Sequence, residues 1–300
     1  MPQGGPWDSL RDHLVERLSP GLPPDEVDRM LRAGEFVDAA GVPVGADAPF
    51  VPQSVVWAHR DLPDEVVHPE ELVVLHRDER IVVVDKPHDM ATMPRGRHVV
   101  QSALARTRVL TGLDRLAPAH RLDRPTAGVL MFTSEQRWRG AYQRVFAEGL
   151  AHKEYLAVAP VRDDLALPLV RRTHLVKQHG THQAHEVPGA EPNAETLVEL
   201  LGTARRPSTT TAVGDEVGLY RLTPRTGRTH QLRCQLDGLG IPIVDDPLYP
   251  VEVDVALDDF SRPLQLLAAV LAFDDPVDGR PRRFVSRRRL AAWPAAWPTL

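Results

Sequence analysis

Residues 120–132 read HRLDRPTAGVLMF. A polar cluster, His120, Arg121, Asp123 and Arg124, stands just before a tight turn, RPTAG, and the turn leads into an apolar run with the look of a strand. An aspartate between two arginines at a strand edge stays ionised, because neighbouring cations favour the carboxylate. Such a side chain can serve as a nucleophile or as a charge stabiliser. It can equally be a turn-capping aspartate among solvated arginines, and these residues alone leave both readings open.

Outward from this stretch, LVVLH and RIVVVDKP are short β-branched runs separated by the polar turn RDER, the pattern of a strand pair. Downstream, Ser134 is placed to cap a helix whose Trp138, Ala141, Tyr142, Val145 and Phe146 keep a helical rhythm to Gly149. KEYLAVAP then alternates as a strand, with Lys153, Tyr155 and Ala157 on one face. Residues 178–195 suggest an exposed loop, EVGLYRL a strand, and THQLRCQLDGL a helix stopped by Gly240 and Pro242. LQLLAAVLAFDDP fits helix or strand equally well. Strands mingled with helices, without regular βαβ alternation, predict an α+β fold on a mixed, mainly antiparallel sheet with flanking helices.

Residues 1–65 differ in character. A short helical stripe, Leu22, Val27, Met30 and Leu31, ends near Gly34 and is followed by a proline-rich passage. A small N-terminal domain over 1–65 and a catalytic domain over 70–300 are therefore expected. The 300 residues are 42% hydrophobic and 26% charged, ordinary for a globular chain. One cysteine, Cys234, excludes an internal disulfide framework and a cysteine-rich zinc site. No basic-then-apolar leader opens the chain, and no apolar run approaches the roughly 18 residues that span a bilayer, so a cytoplasmic protein without membrane association is expected. The net charge of −5 does not favour nucleic acid. A cleft, however, needs only a local positive field, and the arginines bunch at 121 and 124, at 225, 228 and 233, and at 282–289.

Three segments in order carry a resemblance. HRLDRPTAGVLMF resembles the HRLD-x-x-TSG-LLL motif of the RluA family of RNA pseudouridine synthases. RTGRTHQLRCQLDGLGIPIVDDPLY, residues 225–249, resembles that family's GRTHQ, G-x-P-I and GD-x-x-Y succession, and KEYLAV resembles its tyrosine-bearing strand. VVVDKP and NAETLVELL are weaker echoes, and residues 1–65 resemble a worn alpha-L RNA-binding module. The resemblance implies cofactor-free isomerisation of uridine in ribosomal RNA, favoured over transfer RNA, by a monomer. It implies Asp123 as the essential carboxylate, Tyr155 as its neighbour and Arg228 as its guanidinium partner. It further implies RNA or base contacts from His120, Arg121, Arg124, Thr229, His230, Gln231, Arg233 and Leu266, with Arg121 filling the space left by a flipped base. Tyr249 is a further candidate for the pocket wall.

Several positions depart from the family pattern: Ala127 for serine, Asp89 and Asp245 for glycines, Met93 and Leu267 for histidines. A non-catalytic RNA-binding protein derived from such an enzyme is the alternative reading. A metal site built from His179, His182 and His185 with His174 is a weaker one, since Gly180, Pro188 and Gly189 argue for a loose loop of solvated imidazoles; no metal is expected.

Overall fold

The computed structural model describes residues 1–19, 22–58, 65–94, 96, 98–178, 180–205, 216–256 and 258–300. The chain divides into two compact units, Met1–Pro63 and Asp64–Leu300. In the first, α1 (Leu10–Leu18) starts on Ser9, whose hydroxyl accepts the Asp12 N–H, a standard N-terminal cap. The expected stripe forms α2 (Pro24–Arg32) and packs Val27, Met30 and Leu31 against Leu10, Leu14 and Phe36. A two-stranded ladder of β1 (Phe36–Asp38) and β2 (Val56–Ala58) completes the unit. Arg29 lies between Glu26 at 2.8 Å and Glu35 at 2.6 Å, and Arg11 is paired with Asp28, so two of the arginines on these helices are neutralised within the unit.

In the second unit the elements run β3 (Val73–Arg77), β4 (Ile81–Lys86), α3 (Ala103–Thr111), β5 (Ala117–Pro118), β6 (Ala127–Thr133), α4 (Gln136–Ala147) and β7 (His152–Pro160). They continue β8 (Leu169–Thr173), β9 (Leu175–Val176), β10 (His185–Glu186), β11 (Ala194–Arg205), β12 (Glu216–Pro224), α5 (Gln231–Gly238), β13 (Leu266–Asp274) and β14 (Pro281–Val285). One sheet takes the order β3-β4-β6-β13-β7-β12-β11-β8, with β5 on β6 and β14 on β13. All its pairs are antiparallel except β6 with β13. The fold is α+β on a mixed, mainly antiparallel sheet, as the sequence pattern implies.

The sheet is covered on both faces. On one, α3 packs Ala103 and Leu104 on Val82, Val84, Leu130 and Phe132, while α5 packs Leu232 and Leu236 on Ala157, Val198 and Leu222. Tyr155 touches both of these clusters. On the other, α4 packs Tyr142 and Val145 on Ile81, Val83 and Met131, and the C-terminal Leu290, Trp293 and Trp297 cover Leu156, Val158 and Leu267. A central strand enclosed on both faces has no polar side to show, which is why LQLLAAVLAFDDP carries no readable period and forms β13. Two local expectations need correction. Ser134 does not cap α4: Glu135 holds that position, and the Ser134 hydroxyl donates to the Glu79 carbonyl. The stretch 178–195 is not loop alone, since β10 pairs with β9.

β6 is presented to β13 through Gly128, whose φ of +113° lies in the region that side chains avoid. A Cβ there would sit 2.2 Å from the Ala268 carbonyl oxygen, a backbone atom that cannot move aside cheaply. Gly128→Ala is expected to destabilise the fold by about 2–4 kcal/mol. An unchanged melting temperature contradicts this close approach.

Buried histidines add a pH dependence. Burial lowers His88 to about 4 and His120 to about 3, and lowers His230 as well. The unfolded chain takes protons near pH 6.5 that the fold refuses until much lower pH. The contribution of these histidines is therefore full above 6.5 and is lost as pH falls toward 4, by up to about 1.4 kcal/mol per pH unit for each histidine. Melting temperatures are expected to fall between pH 7 and pH 5; a flat profile contradicts neutral burial of these rings.

Candidate active site

The loop carrying Asp123 is held from behind by buried polar side chains. Thr92 grips Leu122 twice: its hydroxyl donates to the Leu122 carbonyl at 2.7 Å and accepts the Leu122 N–H at 3.1 Å. Lys86, fully buried, donates to the carbonyls of Pro87, Met90 and Arg124 at 2.8–3.0 Å. Burial pulls its pKa down to about 7. His88 donates through Nδ1 to the Pro125 carbonyl at 2.9 Å, and the Thr126 N–H closes the turn onto the Asp123 carbonyl. These side chains satisfy carbonyls that would otherwise be buried unpaired, and they leave the loop little freedom. The echo VVVDKP thus contains Lys86, which with His88 and Thr92 shortly after it holds the Asp123 loop, a role sequence reasoning did not single out. Its Asp85 is buried too, accepting from Ser286 and the Arg287 N–H.

The Asp123 carboxylate projects from this loop into a cleft. Its Oδ2 lies 3.6 Å from Nη1 of Arg233 and 3.9 Å from Nε2 of His230. Arg233, whose side chain is 2% exposed, turns its Nε and Nη2 onto the carboxylate of Asp246 at 2.8 and 2.5 Å. Asp246 also accepts the N–H groups of Leu248 and Tyr249. The Tyr249 ring lies 5.5 Å from the guanidinium, and its hydroxyl bonds both the N–H and the carbonyl of Ala184 and meets His230 Nδ1 at 3.3 Å. Tyr155, on β7, has its phenol pKa raised by burial and secondarily by the charge of Asp123.

Two cavities meet at Asp123. One, of about 400 Å³, is lined by Tyr155, Leu266, His120, Phe146, Lys153 and the loop between β12 and α5. The other, of about 850 Å³, runs past Met93, Arg124, Lys177, His182, Leu248 and Val253. Arg121, Leu122, Asp123, Thr229, His230 and Arg233 border both. Volumes of this order suit a ligand of nucleotide size.

The structure redistributes several of the expected residues. Arg228 is not the partner of Asp123: it is exposed on the loop before α5 and donates through Nε to the Asn193 carbonyl, while Arg233, carried inward on α5, takes the place beside Asp123. Arg233 is accordingly engaged in a buried ion pair rather than offered to RNA. Gln231 is likewise an internal strut. Its amide donates to the Glu195 carbonyl and the Thr196 hydroxyl, and its oxygen accepts from Thr226 and the Arg228 N–H, which exhausts its capacity. His120 forms cavity wall, its ring stacked 4.4 Å from Phe146 and its Nε2 accepting the Met131 N–H. Leu266 is buried in the lining, and Tyr249 lies behind Arg233 rather than among the residues lining the smaller cavity. Thr229 is exposed at the rim; Arg124 approaches Asp89 at 3.8 Å and His98 at 3.5 Å. Arg121 is exposed, its guanidinium without a hydrogen bond or ion pair among the described residues. Cys234 is packed in a small core, where burial lifts its thiol to about 11.

Two departures from the resembled pattern gain a physical reading. Asp89 and Asp245 stand where the pattern has glycine, and both adopt left-handed backbone, φ +55° and +57°. Aspartate is among the side-chain-bearing residues that tolerate this conformation. Among the described residues no three His, Cys, Asp or Glu side chains are grouped to hold a metal ion; His179 lies outside the described residues. No described helix is long and apolar enough to cross a membrane.

Comparison with known proteins identifies the family. The family model described as RNA pseudouridylate synthase matches residues 80–237. A dual-specificity RNA pseudouridine synthase RluA of Pasteurella multocida is 32% identical over 212 residues, covering 69% of this chain and 88% of that protein. Human pseudouridylate synthase RPUSD2 is 30% identical over 191 residues, covering 64% of this chain and 33% of that protein. Among solved structures, human RNA pseudouridylate synthase domain containing 1 superposes with a TM-score of 0.58 at 23% identity, over 75% of this chain and 86% of that one, and supports the fold. By these matches the chain belongs to the RNA pseudouridylate synthase family, within its RluA group, and is an RNA-uridine isomerase.

Proposed function

We propose that the enzyme isomerises a uridine everted from structured RNA, ribosomal RNA before transfer RNA, with Asp123 as the essential carboxylate. The observation that carries this reading is the placing of one carboxylate, partly open to solvent, where two cavities join, against a buried guanidinium and in a cavity that Tyr155 also lines. In the reaction the bond from C1′ to N1 breaks, the uracil turns, a bond from C1′ to C5 forms, and the C5 proton leaves as N1 gains one. A carboxylate assists by attacking C1′, by adding to the base, or by promoting loss of the 2′ proton. In each route it must be ionised and already oriented, because little reorganisation then remains at the transition state. Arg233, fixed by Asp246, supplies that orientation, and Tyr155 stands beside the ribose as a proton-transfer partner.

Reaching the base requires unstacking at a cost of about a few kcal/mol. Arg121, unengaged at the junction of the cavities, is suited to stack in the vacated space through its planar guanidinium. We take the catalytic unit to act as a monomer in the cytoplasm. Residues 1–65 we take to be a worn alpha-L module in which Arg11 and Arg29 are held by its own acids. The relatives' names include both a dual-specificity RNA synthase and a tRNA pseudouridine synthase, which makes target class the finer question.

Pseudouridine maps of total RNA with and without the gene test the assignment. One or a few sites are expected to vanish, chiefly in ribosomal RNA, and to return with the wild-type gene but not with Asp123→Asn. A map with no lost site, or rescue by Asp123→Asn, contradicts it. On purified enzyme, Arg233→Lys is expected to lower kcat by about a hundredfold or more, while Arg228→Ala leaves kcat within about threefold. The reverse order returns Arg228 to the carboxylate. Asp246→Ala leaves the Arg233 charge buried without its bidentate partner and should cost about 3–5 kcal/mol of stability by denaturant titration.

A further inference from the structure

The smaller cavity has an end that the isomerisation chemistry leaves unused. Lys153 lies on β7 two residues before Tyr155, and both line the cavity. At a strand rise of about 3.3 Å per residue the two positions stand roughly 6.6 Å apart on one face. The lysine Nζ donates one hydrogen bond, 3.1 Å, to the Thr226 carbonyl. An ammonium carries three donors, so two remain.

Lys153 forms no ion pair among the described residues, and the nearby acids are engaged elsewhere. Glu154 points to the opposite face of the strand and bonds His152, while Glu195 is taken by Arg172 and Arg225. Burial lowers the lysine pKa below its ordinary range with no carboxylate opposing it. A half-buried cation with no counter-ion is unfavourable, and it suits a site where the ligand brings the anion. Every nucleotide of an RNA strand brings one phosphate, and the span from Lys153 to Tyr155 is of the order that separates a ribose from its own phosphate.

We propose that Lys153 is a positioning residue that receives a phosphate of the RNA strand at the everted nucleotide, so that the ribose is held between this contact and Asp123. The inference rests on the everted-uridine reading above. It assigns the cavity two functional ends: one holds the reacting sugar and base, the other the backbone.

Full-length Lys153→Met and Lys153→Arg are to be assayed on total RNA from cells lacking the gene, following pseudouridine at the sites that wild-type enzyme restores. Lys153→Met is expected to raise KM about tenfold with kcat within about threefold, and to reduce the log–log salt slope of kcat/KM by about one unit. Lys153→Arg recovers most of both. If Lys153→Met fails to fold, Lys153→Gln is measured in its place. Unchanged KM and salt slope, or a lowered melting temperature and kcat with KM unaltered, make the lysine a strut to Thr226 and overturn the proposal. Wild-type enzyme that converts no site in this RNA overturns the everted-uridine reading together with it.

Discussion

The guanidinium of Arg233 sits between two carboxylates, and the catalytic cleft is arranged around that fact. Withdrawing an arginine from water is costly, and the cost is offset only if its donors meet well-placed acceptors. Asp246 provides the bidentate acceptor, itself fixed by two backbone N–H groups of the segment leading to Tyr249. The remaining edge of the guanidinium faces Asp123 at 3.6 Å. Asp246 therefore sets the direction of Arg233, and Arg233 sets the electrostatic surroundings of the proposed reactive carboxylate. Tyr249, anchored on Ala184 of the segment before β10, closes the cage from behind.

A charge held this way needs a partner that does not drift. The loop of residues 122–126 meets that need through Thr92, Lys86 and His88, which fasten successive carbonyls from the protein interior. Gly128 then lets β6 run against β13, bringing the loop to the centre of the sheet beside Tyr155. The constraint is collective: a buried lysine, a buried neutral histidine and a glycine at positive φ each tolerate an unfavourable local state so that one aspartate is presented in a single position. Asp89 and Asp245, which stand where the resembled pattern has glycine, both take left-handed backbone, a conformation that aspartate tolerates.

Much of this was legible in the sequence, and the misses have physical causes. The β-branched runs at 72–86, the alternation around Tyr155 and the turn before Gly128 identified strands correctly, because half-buried or fully buried strands leave a strong pattern. LQLLAAVLAFDDP was undecidable by period, since a strand enclosed on both faces looks like a buried helix. Helix α3 was passed over although Ser102 and Gly112 mark its ends, for its residues ALARTRVLT are weakly amphipathic. At the site, the GRTHQ motif carries Arg228, and Arg233 follows two residues after it. Choosing Arg233 over Arg228 required knowing that Asp246 folds back onto α5, a long-range pairing that local spacing does not encode. Lys86, Thr92 and His88 were missed for the same reason: they act on backbone atoms some 30 or more residues away.

The most direct test is the structure of the enzyme bound to RNA carrying 5-fluorouridine at a restored site, because fluorine at C5 cannot leave as a proton and halts the reaction before release. The account predicts the base everted into the smaller cavity, Asp123 against the ribose or ring carbons, and Arg233 still clasped by Asp246. A nucleotide left outside the cleft, or an Arg233 that abandons Asp246 while Asp123 turns to solvent, contradicts it.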